Sequence, residues 1–242
     1  VPPEASASQT RRAGRAGAGI AGAGEGDGIA PLRQLLRQRG GTGQARSLVF
    51  GDRLPAIAAA QLGGTMCRRA GYCDAMAPGP HIGSALLPAA LAAVEVARRL
   101  QRRAEAAGGA GSGLRGRRAL NLDESQYDGF DPTGVAVGFA STAAACRVLG
   151  LDAKAAAQRA GPGLQPLWRQ LPNNIDGTLA VRVIQGWVAA TGIECAMATA
   201  GITRAGQLPH RRLRLSAPVR ARPAGAGGPV VAGLGTGGGC CA

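Results

Sequence analysis

The apolar runs of this sequence are built from alanine, leucine and valine and carry almost no aromatic rings. Hydrophobic residues make up 45% of the 242 positions, yet aromatics only 3%. A core is affordable at that length, but it must form from small side chains. Small contact residues suit helices that approach one another closely. No pair of alternating strands joined by a hairpin turn stands before residue 205, so an all-α helical bundle is expected.

The helices can be placed from periodicity and punctuation. Ile29 to Arg39 puts Leu32, Leu35 and Leu36 on one face with Arg33, Arg37 and Arg39 off it, and Gly40-Gly41 stops it. Ser47–Phe50 is a short apolar run ending in a Gly51-Asp52 turn, and Leu54–Leu62 reads as an Ala-rich helix. A loop follows from Gly63 to Gly83. Ser84 can then cap a helix to about Arg103, with Leu87, Leu91 and Val94 as its buried stripe. Asp131-Pro132 is a helix start, a capping acid before a proline at the first helical position. Val135, Phe139 and Cys146 carry one face of that helix, and Gly150 closes it. Asp152 caps a short helix. A long helix from about Leu179 to Ala200 carries Val183, Trp187, Ala190 and Met197, with Gly186 and Gly192 pointing to close helix contact.

Glycine-rich stretches at 14–28, 108–116 and 225–239 read as loops. The chain divides into a flexible Gly/Arg-rich segment (1–28), a helical domain (29–204, irregular at 105–120) and a low-complexity tail (205–242). The tail has no helical period and no acid, and reads as disordered or as sequence from another frame. Gly17 to Gly22 is formally a GxGxxG. It lacks the preceding strand a dinucleotide fingerprint needs, so that reading is rejected.

Net charge is +14, and Lys154 is the only lysine. Residues 98–118 and 205–242 together hold 11 of those charges. The excess therefore sits in two irregular segments and not on a folded face. Neither segment contains an aromatic residue to interleave with its arginines, which ranks nucleic-acid binding last. Cys67 and Cys73 do not have a structural zinc spacing. Cys146 and Cys195 fall on apolar helix faces as ordinary buried thiols. With no disulfide framework, no apolar signal-like run and no stretch fit to span a bilayer, a cytoplasmic protein is expected.

The most specific segment is PGPHIGSALLPAALAAVEVA, a histidine in a Pro/Gly loop directly before an Ala/Leu helix. Nearly as specific is GFDPTGVAVGFASTAAACRVLGLDAKAAAQRAG. These occur in order with GAGIAGAGEGDGIAPLRQLLRQRGG, VFGDRLPAIAAAQLGGTM and DGTLAVRVIQGWVAATGIECAMATAGITR. Together they resemble, from about residue 17 to 204, the MmgE/PrpD family of lyases related to 2-methylcitrate dehydratase and cis-aconitate decarboxylase. The resemblance implies a large all-helical domain beginning with a helix–loop–helix, a smaller α/β domain that is missing here, and a homodimer. It also implies action on a small polycarboxylate with no metal or redox cofactor. The shared chemistry is proton removal next to a carboxylate, which needs a base, an acid and cations that hold the substrate.

His81 matches the family's loop histidine and is the candidate base or acid; a helix cap is its other reading. Asp74 matches one acid of an Asp-aromatic-Asp-Asp run, with Tyr72 as the aromatic, or is a turn former. Asp131 stands where many members have histidine in a Phe-His-Pro-Thr run, but a helix N-cap explains it fully and is the favoured reading. Arg182 is the cation left in VRVIQGW and can clamp a carboxylate bidentately. Val181 stands near the family's usual lysine and Ile184 at its usual histidine. Arg68, Gly71, Cys73 and Met76 occupy further positions where the family carries acids and bases. Two readings of different class follow: a lyase acting on a 2-methylcitrate-like acid, or an inactive relic serving as a dimerisation or binding module.

Overall fold

The structure is a computed structural model that describes residues 17–24, 28–69, 81–97, 132–152, 155–156, 159 and 180–198. The Arg-rich segments, the tail, and the candidates Tyr72, Asp74 and Asp131 lie outside the described residues.

Helices dominate, as the apolar pattern requires. They are α1 (17–24), α2 (Ile29–Arg39), α3 (Ala56–Arg69), α4 (Gly83–Val96), α5 (Pro132–Leu149) and α6 (Ala180–Ala198). Helix α3 packs on α4 and α6, and α5 packs on α4 and α6. Helix α4 thus touches the other three members of this bundle. The core between them is largely alanine, completed by Leu62, Met66, Leu86, Val94, Val137, Val148, Ile184 and Ile193. No helix among the described residues is long and apolar enough to cross a membrane.

The ends of α5 follow sequence chemistry closely. It begins at Pro132. It ends in a Schellman motif: Gly150 has φ 79°, its N–H donates to the Arg147 carbonyl, and the Leu151 N–H donates to that of Cys146. Asp152 Oδ1 then accepts from the Ala155 N–H at 2.7 Å, as an N-cap should.

Helix α3 departs from expectation. It does not stop at Gly63 but runs through Gly63-Gly64 to Arg69, with both glycines buried. Gly63 faces Pro88 of α4, and Gly64 faces the main chain of α6 at Gln185 and Gly186. Reciprocally, a Cβ on Gly186 would overlap Thr65 Oγ1 and the Gln61 carbonyl. These glycines are contact residues, and the helical packing outweighs their low propensity. A similar correction holds for 17–24. Composition marks a loop there, but a helix forms, with Gly22 against the Met66 carbonyl and Gly19 against Leu48. The expected helix–loop–helix covers it.

Three apolar stripes are also placed differently. On α6, Trp187 is exposed and Val183 only half-buried, while Ile184, Gln185, Gly186, Val188, Ala189 and Ile193 face inward. The glycine needed at the crossing sets the helix's rotation. On α4, Leu87 and Leu91 are half-buried, and Ala85, Leu86, Ala89, Ala90 and Ala93 join Val94 inside. On α2, Ile29 and Leu36 are buried but Leu35 is exposed.

Between α2 and α3 lies a minimal antiparallel hairpin, β1 (Ala45–Arg46) with β2 (Arg53–Leu54), paired Ala45 to Leu54 and Arg46 to Arg53. It is an addition to the all-helical expectation without changing the fold class. Asp52 at its turn receives Arg33 of α2, Nε to Oδ2 at 2.5 Å and Nη2 to Oδ1 at 2.9 Å. The guanidinium also lies 4.3 Å from the centre of the Phe50 ring. Hydrogen bonding from Arg33 holds the Asp52 carboxyl below its ordinary value. A carboxyl depressed on folding contributes stability above its unfolded value of about 3.9 and loses it as pH falls through the folded value. Asp52→Asn should therefore lower the urea midpoint at neutral pH. The gap to wild type should close in acid below about pH 4; a gap that persists there would assign the effect to something other than the ion pair.

Cys146 and Cys195 are buried thiols. Burial pushes each up to about 11, with Arg159 opposing at Cys146 and Glu194 adding at Cys195. Both stay protonated at neutral pH and are not nucleophiles.

Candidate active site

Helix α4 begins at Gly83, so His81 stands two residues before it, at its amino end. Its side chain is half-buried. The His81 N–H donates to Thr133 Oγ1 of α5 at 3.2 Å. Its carbonyl faces Ser84 Oγ at 3.4 Å. That same hydroxyl donates to Gln185 Oε1 of α6 at 3.2 Å. One hydroxyl proton is thus shared between two acceptors. Thr133, Ser84 and Gln185 are each no more than 1% exposed, so these contacts form in a dry, low-dielectric setting where hydrogen bonds are strong.

Ser84 consequently does not have the role its position suggests. The N-cap of α4 is Ile82, with no side-chain capping bond. The serine hydroxyl instead reaches back to His81 and across to α6. The partial positive charge at the start of α4 therefore lies beside the histidine. Arg182 is half-buried on α6, three residues before Gln185 and so on the same side of that helix. The fold thus gathers the peptide of His81, the start of α5 and the first turns of α6. Asp74, Tyr72 and Asp131 are not placed by it. Arg68 lies half-buried in the last turn of α3.

Sequence reasoning passed over Thr133 and Gln185. A usable signal was present: each is a hydrogen-bonding side chain set in an otherwise apolar helix. Their partners lie 52 and 101 residues away, however, and spacing along one chain does not reveal such pairs.

A family model, the MmgE/PrpD N-terminal domain, matches residues 8–208. The chain belongs to the MmgE/PrpD family. Among curated proteins none matches it significantly. Family membership makes this a MmgE/PrpD-type, lyase-like protein. It accounts for the helical architecture and includes every described helix within the matched span.

One departure from the family pattern has a structural consequence. Ile184, at the position of the usual histidine, is 2% exposed and part of the core. It offers no proton-transfer group.

Proposed function

We propose that this MmgE/PrpD protein acts as a lyase on a small polycarboxylate such as 2-methylcitrate, with His81 taking the proton from the carbon next to a carboxylate. The observation that carries this reading is the anchoring of the His81 peptide by Thr133 of α5 and Ser84 of α4, with Ser84 bonded in turn to Gln185 of α6. Imidazole is the side chain best suited to take and return a proton near neutral pH. The partial positive charge at the start of α4 favours a carboxylate beside it. Arg182 would clamp a second carboxylate, its planar fork matching two oxygens. In a dehydration the proton passes from carbon to His81, and the hydroxyl leaves as water after protonation by a second acid. Asp131 and Asp74 are the candidates for that acid, and Tyr72 for a substrate contact. The reading includes a cytoplasmic homodimer and no cofactor.

The buried Ile184 favours a second reading, an inactive relation of the lyases that keeps the bundle as a binding or dimerisation module. One assay separates them. Purified protein is incubated with 2-methylcitrate and with cis-aconitate, and product is followed by ultraviolet absorbance and mass spectrometry. Turnover supports the lyase. No turnover from protein with normal helical circular dichroism ends that reading in favour of the module.

A further inference from the structure

We propose that Thr133, Ser84 and Gln185 are positioning residues that fix the main chain of His81 from three different helices. This rests on the lyase reading for its catalytic meaning, though the geometry stands by itself. Both polar atoms of the His81 peptide are engaged. The N–H is held by Thr133 Oγ1 from α5, and the carbonyl by Ser84 Oγ from α4. Ser84 is in turn tied to Gln185 of α6. None of the three residues would be chosen for packing alone. Thr133 and Gln185 are each 1% exposed in surroundings of alanine, valine and isoleucine. A polar group so placed costs stability unless it is bonded; Thr133 and Ser84 bond directly to the His81 peptide, and Gln185 reaches it through the Ser84 hydroxyl.

The arrangement has a mechanical consequence. A residue between Pro80 and Gly83 would ordinarily sample several backbone conformations. Anchoring its N–H and its carbonyl to separate helices removes that freedom, so the imidazole starts from one fixed Cα. Preorganisation of this kind acts on the rate of the chemical step more than on substrate affinity, because a displaced base still permits binding.

The test uses the full chain and three substitutions: Thr133→Val, which keeps shape and loses the acceptor; Thr133→Ser, which restores it; and Gln185→Leu. With 2-methylcitrate as substrate, Thr133→Val and Gln185→Leu should lower kcat by roughly 10- to 100-fold with KM little changed, and Thr133→Ser should recover most of it. A second readout does not require activity. The chain has two histidines, His81 and His210. In protein labelled at the imidazole, His81→Ala identifies the His81 ring resonance. Thr133→Val should shift and broaden that resonance and leave that of His210 unchanged, and Thr133→Ser should restore it. An unmoved ring resonance in both Thr133→Val and Gln185→Leu, with circular dichroism intact, overturns the proposal. If wild type shows no turnover but the ring resonance responds as described, the lyase reading fails while the positioning role stands.

Discussion

Gly186→Ala should cost about 2 kcal/mol of stability despite placing a better helix former in α6. Alanine favours the helix by about 1 kcal/mol over glycine. Against that, its Cβ must enter the space held by Thr65 Oγ1 and the Gln61 carbonyl. Thr65 already donates to that carbonyl at 3.0 Å, and a helix carbonyl cannot rotate aside as a side chain can. Overpacking of this kind costs about 3 kcal/mol when backbone must shift. A small domain has only about 5–15 kcal/mol in total, so the urea midpoint should fall by roughly 1 M. Gly24→Ala is the control. It lies at the exposed end of α1, with nothing within 4 Å of the new Cβ, and should not lower the midpoint. If both variants unfold alike, close approach of α3 and α6 is not what position 186 provides.

His81→Ala should reduce turnover of 2-methylcitrate by roughly 10²- to 10⁴-fold, the usual contribution of a positioned acid or base. Its fold should be unharmed, for a reason the geometry supplies. The bonds from position 81 to Thr133 and Ser84 involve the peptide N–H and carbonyl, which alanine retains. A fall in rate with an unchanged urea midpoint therefore isolates the imidazole. A variant that works at the wild-type rate would remove His81 from the mechanism.

Much of this fold can be read from the residues, and the misreadings share one cause. Pro132 at the start of α5 and Gly150 at its end are local signals that work because their chemistry is local. Glycine elsewhere is ambiguous. Gly40 and Gly41 stop α2 with φ of 63° and 104°, whereas Gly63 and Gly64 sit inside α3. The difference lies in the partner helices, α4 at Pro88 for Gly63 and α6 more than 100 residues away for Gly64, which no short window around position 63 contains. The face of α6 was misjudged for the same reason. Val183 and Trp187 are the larger apolar residues, and size argues for burying them. The crossing with α3 requires the smallest residue inside, and the whole helix turns to satisfy it.

The candidate site divides similarly. His81 is legible because two prolines and two glycines frame it and a helix follows. Arg182 is legible as the remaining cation in its run. Thr133 and Gln185 are not, since each looks like a tolerated polar residue in an apolar helix until its partner is known. Ser84 was visible but misassigned: a serine at a helix start implies a cap, and here its hydroxyl bridges two helices.

Because position 81 is gripped through its peptide group, the grip is indifferent to what the side chain is. Aspartate, glutamate or cysteine installed there inherits the same coordinates at Cα. The scaffold offers an interchangeable socket, and changing one codon would re-equip it with a different acid, base or nucleophile without rebuilding its walls.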